Sequence, residues 1–157
     1  MNITLKKAAI SDAEHLHNMQ IEAFLPLLQK YQDFDTSPGN ETVECTLQRL
    51  EQPSTDYYFI MFDSVEVGGI RIKKLDDGIR CKISPLFVLP EYQGLGIAQE
   101  TIRLVEEIYS PLKGWELCTI LQEQGNCHLY EKMGYKQTGE TKDINDKMTI
   151  VFYEKQR

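Results

Sequence analysis

The sequence predicts an α+β domain in which about four helices pack on a mixed, mostly antiparallel sheet of about seven strands. Three successive segments between residues 56 and 89 are rich in β-branched and aromatic residues and are separated by short turns, which is typical of an antiparallel meander. Helical and extended patterns then alternate to the end of the chain. The length of 157 residues suits one domain that extends over residues 1–157.

The chain is expected to begin with a short strand and an amphipathic helix. Residues 3–8 alternate well enough for the strand. Ser11 or Asp12 can cap the helix, whose apolar residues recur at helical spacing until Pro26 kinks or ends it. A polar loop over residues 30–41 is predicted to follow.

Changes in the hydrophobic period define the remaining elements, and Pro53 and Gly134 are expected to stop two of the helices. In chain order these elements are predicted as a helix at 41–52, strands at 56–63, 66–75 and 78–89, a helix at about 95–109, a strand at 115–121, a helix at 126–133, and strands at 135–142 and 147–155. The last strand is apolar and could pair with a second copy of the chain at a sheet edge. A homodimer is therefore one expectation.

Composition argues against several classes of partner. The net charge of −7 disfavours a general affinity for nucleic acid or for an anionic membrane. No run of about 18 apolar residues is present, so no membrane span is predicted. The N-terminal segment lacks an apolar secretory core, which predicts a cytoplasmic location. The four cysteines form no CxxC pair and the three histidines are scattered, so no metal site is predicted.

The join between strand and helix at residues 88–99 is the segment that indicates a function. Gly94 and Gly96 form a tight turn that leaves backbone N–H groups free at a helix start, where an anion such as a pyrophosphate binds well. A P-loop would need lysine directly after Gly96, but Ile97 follows, and the dinucleotide fingerprint would need a small residue in place of Gln99. The alternative is a glycine-bearing join that holds no ligand.

Residues 88–98, VLPEYQGLGIA, resemble the acyl-coenzyme A signature of the GNAT family of N-acetyltransferases, Gln/Arg-x-x-Gly-x-Gly/Ala. Residues 125–140 resemble the second cofactor motif of that family, with Asn126 and Tyr130 at the expected spacing. The opening ITLKKAAISDAEHL resembles its first strand and helix, and the element order matches over about 150 residues. The chain is therefore identified as a member of this family.

The resemblance implies acetyl-coenzyme A as the cofactor and gives each part of the motifs a role. The backbone amides from Gly94 to Gln99 would wrap its pyrophosphate, and Gln93 would shape that turn or donate into it. The preceding strand would pair with the pantetheine arm as a further strand, and Asn126 would hydrogen-bond it or cap its own helix. The predicted cofactor-binding residues are Leu86, Phe87, Val88, Gln93, Gly94, Leu95, Gly96, Ile97, Ala98, Gln99 and Asn126.

The resemblance also implies an enzyme that transfers an acetyl group to a primary amine, which attacks the thioester directly. Tyr130 is predicted to protonate the departing thiolate, because family members carry a tyrosine at this position; the alternative is a core tyrosine bonded to backbone. Pro85 has no N–H for a strand ladder. Either a bulge at Pro85 aims a following amide at the thioester carbonyl, or the strand ends there.

The general base and the acceptor stay open at the level of sequence. The carboxylates near the expected acceptor wall are those of Glu22, Asp33, Asp35 and Glu41. The acidic and aromatic loop would suit a cationic amine, on a small molecule or a peptide, but an ordinary polar loop explains it equally well. A water chain could carry the proton in place of a carboxylate.

Two other chemical interpretations compete with this one. An acylated Cys127 is disfavoured, because a helix turns His128 about 100° away from it. A non-catalytic module that binds acyl-coenzyme A would have the same fold and pocket. The presence of Tyr130 favours the enzyme, since binding alone needs no proton donor.

Overall fold

The computed structural model describes residues 2–109 and 113–156 and contains a seven-stranded sheet. Its main elements are β1 (Ile3–Lys7), α1 (Ala13–Tyr31), α2 (Val43–Glu51), β2 (Thr55–Phe62), β3 (Val65–Lys74), β4 (Arg80–Val88), α3 (Ile97–Ile108), β5 (Gly114–Ile120), α4 (Gln124–Lys132), β6 (Lys136–Asn145) and β7 (Met148–Gln156). The predicted fold class, a mixed and mostly antiparallel sheet flanked by four helices, is confirmed.

The strands lie in the order β1-β2-β3-β4-β5-β7-β6. Neighbouring strands are antiparallel except β4 and β5, which are parallel. This parallel pair is short: it joins Arg80–Lys82 to Gly114–Glu116 and is not continued by the rest of either strand. The sheet therefore opens between the second half of β4 and β5.

The sheet packs on both faces, because successive side chains of a strand point to opposite sides. On one face, Phe59 of β2 packs in a cluster with Leu16 of α1. On the other face, its neighbour Ile60 belongs to a larger cluster with Ile102 of α3. The helices α1 and α3 thus lie on opposite faces of the sheet.

A bulge interrupts β4 beside this opening. Arg71 alone lies between two paired positions on β3, whereas Ser84 and Pro85 both lie between the matching positions on β4. The strand then continues to Val88. Of the two interpretations of Pro85, the bulge is confirmed and the early strand end is wrong.

The first helix is longer than the sequence predicts. It passes through Pro26 and ends at Tyr31, so the expectation that Pro26 could end it is wrong. Proline has no N–H to donate to the carbonyl four residues earlier, which here is that of Glu22. Because Glu22 is exposed, water can donate a hydrogen bond to this carbonyl instead. Burial of Leu28 and Tyr31 then stabilises the last turn.

The segment after α1 is the predicted polar loop, and most of its residues are exposed, but it is also anchored by buried residues. Asp33, Ser37 and Gly39 are buried within it. A Cβ atom at Gly39 would lie 3.1 Å from the carbonyl oxygen of Phe24 and 3.3 Å from the Cβ of Leu28, so this loop packs closely against α1. Residues 32–42 therefore form a fixed wall, which is called the α1–α2 loop below.

Three further expectations can be compared with the structure. Asp12 occupies the N-cap position of α1, but its carboxylate makes no capping hydrogen bond there and instead accepts a hydrogen bond from the Ala9 amide at 2.8 Å. The last strand, β7, is not a sheet edge, because it lies between β5 and β6, so it cannot form the expected edge of a homodimer. Within the described ranges, no helix combines the length and the apolar character that crossing a bilayer requires.

Candidate active site

Two adjoining cavities occupy the opening of the sheet. The first, called the α3 cavity, has a volume of about 390 Å³ and lies between the end of β4, the glycine turn and α4. The second, called the loop cavity, has a volume of about 350 Å³ and lies between the α1–α2 loop and strands β6 and β7. The residues that line both cavities are Phe24, Leu27, Leu86, Asn126 and Tyr130.

The α3 cavity collects the predicted cofactor-binding residues. Every one of them lines it except Leu95, whose side chain is 53% exposed and turns away to solvent. Gly94 and Gly96 have φ angles of 78° and 82°, which glycine adopts readily. No atom lies within 4 Å of the position that a Cβ at Gly94 would occupy, so a ligand can approach the backbone there.

The backbone amides of residues 94–99 surround the mouth of this cavity. Within residues 2–109 and 113–156, no group accepts a hydrogen bond from any of these amides. The N-terminal amides of α3 add the positive end of the helix dipole. The turn therefore fits an anionic diphosphate, which would supply the missing acceptors.

The side chain of Gln93 fixes the turn to the strand before it. Its amide nitrogen donates to the Val88 carbonyl at 2.9 Å. This bond joins the C-terminal end of β4 to the residue directly before Gly94. This hydrogen bond supports the first of the two predicted roles of Gln93, that of shaping the turn.

The end of β4 presents an unpaired edge to the opening. The Leu89 amide donates to the Val67 carbonyl of β3 at 2.8 Å. Because N–H groups alternate in direction along an antiparallel strand, those of Leu86 and Val88 point away from β3 and toward the opening. An extended chain can pair with this edge as a further strand.

Arg71 stabilises the bulge in β4. Its Nε donates to the carbonyl oxygen of Ser84, one of the two bulged residues. The side chain is buried, and burial lowers the pKa of the guanidinium, as does the nearby charge of Arg49. A buried charge is unfavourable without partners. The hydrogen bond to Ser84 therefore offsets part of the free-energy cost of burying Arg71.

Tyr130 lies where the two cavities meet. Its ring packs on those of Tyr135 and Tyr153, with centroids 6.2 and 6.0 Å away. The hydroxyl bonds to no group of the described ranges, contrary to the alternative of a tyrosine bonded to backbone. Burial raises the pKa of Tyr130, so the phenol keeps its proton at neutral pH and can act as a donor.

Asn126 points toward the same place. It is the third residue of α4, whose N-cap is Glu123, so the interpretation of Asn126 as an N-cap is wrong. Its side chain is exposed and lines both cavities, as does that of Tyr130 one turn later. The amide is therefore free to bind a ligand.

The chain matches the model of the acetyltransferase (GNAT) family over residues 15–135, which is most of its length. The chain belongs to the GNAT acetyltransferase family. This confirms the predicted family, the predicted enzyme class and acetyl-coenzyme A as the predicted donor. No curated protein is similar enough in sequence to count as a match.

Solved structures of acetyltransferases share the fold. One from Thermus thermophilus has a TM-score of 0.77 and 13% identity, with 100% of this chain and 98% of that chain covered. The PaiA N-acetyltransferase of Thermoplasma acidophilum, solved with coenzyme A, has a TM-score of 0.73 and 19% identity, with 100% of both chains covered. An acetyltransferase of Salmonella typhimurium that modifies the N-terminal serine of a ribosomal protein has a TM-score of 0.77 and 15% identity, with 100% and 96% covered. At these identities the likeness shows the fold.

The four candidate bases of this GNAT enzyme occupy different environments. Glu22 and Asp35 are exposed and line neither cavity. Glu41 lines the loop cavity, but both of its oxygens accept hydrogen bonds from Arg49 at 2.7 Å. Burial raises the pKa of Glu41, but the hydrogen bonds and charge of Arg49 outweigh it and leave that pKa below its ordinary value. Glu41 is therefore a poor base.

Asp33 also lines the loop cavity, and its carboxylate organises the loop. One oxygen accepts from the amides of Asp35 at 3.3 Å and Thr36 at 3.0 Å. The other oxygen accepts from the Thr36 hydroxyl. The carboxylate is therefore engaged within its own segment.

Sequence reasoning missed Arg49, Arg71 and the wall that β6 and β7 give to the loop cavity. Arg71 interrupts the apolar run GGIRI, and a charge within a buried strand is a signal that it has a specific partner. The wall has no comparable signal, because it depends on how distant strands pair. Its residues are Lys142, Ile144, Met148, Ile150 and Phe152.

Proposed function

We propose that this GNAT acetyltransferase transfers the acetyl group of acetyl-coenzyme A to a primary amine, which attacks the thioester directly. One observation carries the proposal: the α3 cavity and the loop cavity meet at Leu86, Asn126 and Tyr130. A donor held in the first cavity and an acceptor held in the second would react at that junction.

The α3 cavity would hold the donor. The free amides of residues 94–99 would bind the diphosphate, and the outward N–H group of Val88 would pair with the pantetheine arm. Asn126 would donate a further hydrogen bond to that arm. Backbone donors explain how a chain of net charge −7 can bind an anionic cofactor.

Bound acetyl-coenzyme A supplies a thioester, whose carbonyl carbon forms a bond to the amine nitrogen while its bond to sulfur breaks. The Leu86 amide, which follows the bulge, donates to the carbonyl oxygen as negative charge develops there. The Tyr130 hydroxyl gives its proton to the departing sulfur. The Tyr130 oxygen then recovers a proton from the acylated nitrogen, so the phenol is restored and protons balance.

Water is the proposed carrier of the proton lost by the amine. The two carboxylates that line the loop cavity, Asp33 and Glu41, are held by hydrogen bonds within the α1–α2 loop and with Arg49. Neither is placed as a free base. A water chain between the amine and Tyr130 can relay the proton without either of them.

A coenzyme A release assay with a panel of amines tests the proposal. The expected result is release that depends on the amine, together with a higher melting temperature in acetyl-coenzyme A, since a ligand that binds the folded state stabilises it. A raised melting temperature without release for any amine would favour the non-catalytic module instead.

A further inference from the structure

The loop cavity has an apolar body. Its volume of about 350 Å³ is that of a small-molecule site rather than of an extended groove. Apolar side chains from α1, β4, β6 and β7 cover most of its wall, among them Phe24, Leu27, Ile83, Ile144, Ile150 and Phe152. An acceptor that fills this space gains most of its binding energy by burying an apolar group.

The carboxylates of this cavity are not available to a polycation. Glu41 accepts hydrogen bonds from Arg49 and from Gln20, each at 2.7 Å. Asp33 accepts from neutral donors in its own loop. A polyamine would therefore find no free acid on the described part of the wall, which argues against the cationic acceptor that the acidic loop suggested.

One end of the cavity instead has an excess of positive charge. Arg49 lines the cavity, and Arg71 lies directly behind Ser84, which also lines it. Glu41 is paired with Arg49, and no acidic side chain of the described ranges pairs with Arg71.

Arg71 is 8% exposed. Besides its bond to Ser84, it has only a 3.4 Å contact from Nη1 to the Gln52 side chain, and its Nη2 donates to no group of the described ranges. The charge of Glu41 reaches Arg71 without a hydrogen bond, but Glu41 is already paired with Arg49. A bound anion would therefore offset part of the cost of burying Arg71.

We propose that the acceptor is an α-amino acid with an apolar side chain, whose carboxylate binds at Arg49, while Arg71 adds positive charge from behind Ser84. This inference rests on the proposed function. Guanidinium groups match a carboxylate with paired hydrogen bonds. Ser84 precedes Leu86 by two residues, which span at most about 7 Å because the chain bulges there, so the carboxylate and the reacting amine must lie close together in the acceptor. An α-amino acid meets that requirement.

Matched acceptors test the inference on the unmodified protein. The panel pairs L-leucine and L-phenylalanine with their decarboxylated amines and their carboxamides, and it adds spermidine. The expected kcat/KM is at least about tenfold higher for each amino acid than for its partners, because only the carboxylate can accept charged hydrogen bonds from the guanidinium. The carboxamides have the least basic amines of each set, so amine basicity alone cannot produce this order. Equal or faster turnover of the decarboxylated amines, the carboxamides or spermidine would overturn the inference.

A double variant tests whether Arg49 causes the preference for an acceptor with a carboxylate. Because Arg49→Gln alone would leave the partly buried Glu41 without its cation, the Glu41→Gln/Arg49→Gln double variant replaces both charges. It should reduce the ratio between amino acid and amine toward one while the KM for acetyl-coenzyme A stays constant. Arg103→Gln, at an exposed position that pairs with Glu100 on α3, is the control and should leave the ratio unchanged. A double variant that keeps the full ratio would contradict the assignment.

Different results would reject the α-amino acid acceptor and the acetyltransferase activity. Turnover of amines without any preference for a carboxylate would reject the α-amino acid and leave the transferase intact. A melting temperature that rises with acetyl-coenzyme A, without turnover of any acceptor, would reject the proposed function and this inference with it.

Discussion

At the scale of single residues, Tyr130 is the side chain whose loss should separate catalysis from binding. Its ring is fixed among other tyrosines, and its hydroxyl lies at the junction of the cavities without a protein partner in the described ranges. Tyr130→Phe should lower kcat about a hundredfold, because a positioned proton donor contributes at least that much. The dissociation constant for acetyl-coenzyme A, measured by calorimetry, should change little.

Tyr109→Phe is the matched control for this change. Tyr109 is a partly buried tyrosine, but its hydroxyl donates to Asp56 and the residue lines neither cavity. The control should keep its kcat even if it is less stable. Equal loss of kcat and cofactor affinity in Tyr130→Phe would instead show that Tyr130 only holds the cavity open.

A pair of glycines tests whether the glycine turn binds the cofactor. Gly94 and Gly78 have similar φ angles, 78° and 73°, and a Cβ at either position would meet no atom within 4 Å. Alanine at either position should therefore destabilise the fold similarly, by about 1–2 kcal/mol for the left-handed backbone. Only Gly94→Ala should also weaken acetyl-coenzyme A binding, by at least about tenfold, because only Gly94 lines the α3 cavity. Equal affinities in calorimetric titrations of the two variants would exclude the turn as the diphosphate site.

At the scale of elements, the bulge in β4 depends on a side chain from its neighbour. Arg71 donates to the Ser84 carbonyl, and the Leu86 amide that follows the bulge is proposed to stabilise the reacting oxygen. Arg71→Met should lower kcat at least about tenfold. Removing a donor that stabilises the reacting oxygen lowers the rate about 10²–10³-fold, and displacing the Leu86 amide should cause part of that loss. The KM for acetyl-coenzyme A should change less.

Arg71→Lys provides the conservative comparison. A lysine can still donate one hydrogen bond to Ser84, so it should recover part of the kcat that methionine loses. Arg80→Met, which removes the Arg80–Glu154 pair at the other end of β4, is the control for a lost arginine. If lysine and methionine at position 71 give the same kcat, the hydrogen bond to the bulge is not what positions the strand.

The elements that the sequence predicts well are those with a local cause. Strands β2, β3 and β4 follow from their period and turns, and the glycine turn follows from Gly94 and Gly96. The predicted end of α1 was wrong because buried Leu28 and Tyr31 outweigh the local effect of Pro26.

The loop cavity could not be predicted for a related reason. Its wall combines the α1–α2 loop with residues of β6 and β7 that are about a hundred positions away. The hydrophobic period of a segment does not indicate which strands are neighbours in a sheet. The sequence therefore does not predict that β7 lies between β5 and β6. The cofactor half of the site can thus be predicted from a continuous sequence motif, whereas the acceptor half depends on contacts between segments that are distant in sequence.

At the scale of the whole molecule, folding holds two sets of ionisable groups away from their ordinary pKa values. Burial raises the pKa of Glu41, Asp56 and Glu123, but bonds from Arg49, Tyr109 and Lys30 respectively outweigh it and leave the pKa lowered. Their stabilisation is complete above the unfolded pKa of about 4 and is lost as the pH falls. Burial raises the pKa of six tyrosines, Tyr31, Tyr57, Tyr109, Tyr130, Tyr135 and Tyr153.

These tyrosines act on stability in the opposite direction. Above about pH 10 the unfolded chain releases phenol protons that the folded chain keeps, so the free energy of unfolding must fall as the pH rises. Urea unfolding should therefore show a plateau between about pH 5 and about pH 9, with a decline on each side. Tyr57 is 2% exposed and lines neither cavity, so Tyr57→Phe isolates one such proton. The variant should reduce the alkaline slope by up to about 1.4 kcal/mol per pH unit, the value for one proton. An unchanged slope in Tyr57→Phe, or stability that rises above about pH 10, would contradict the assignment of alkaline instability to buried phenols.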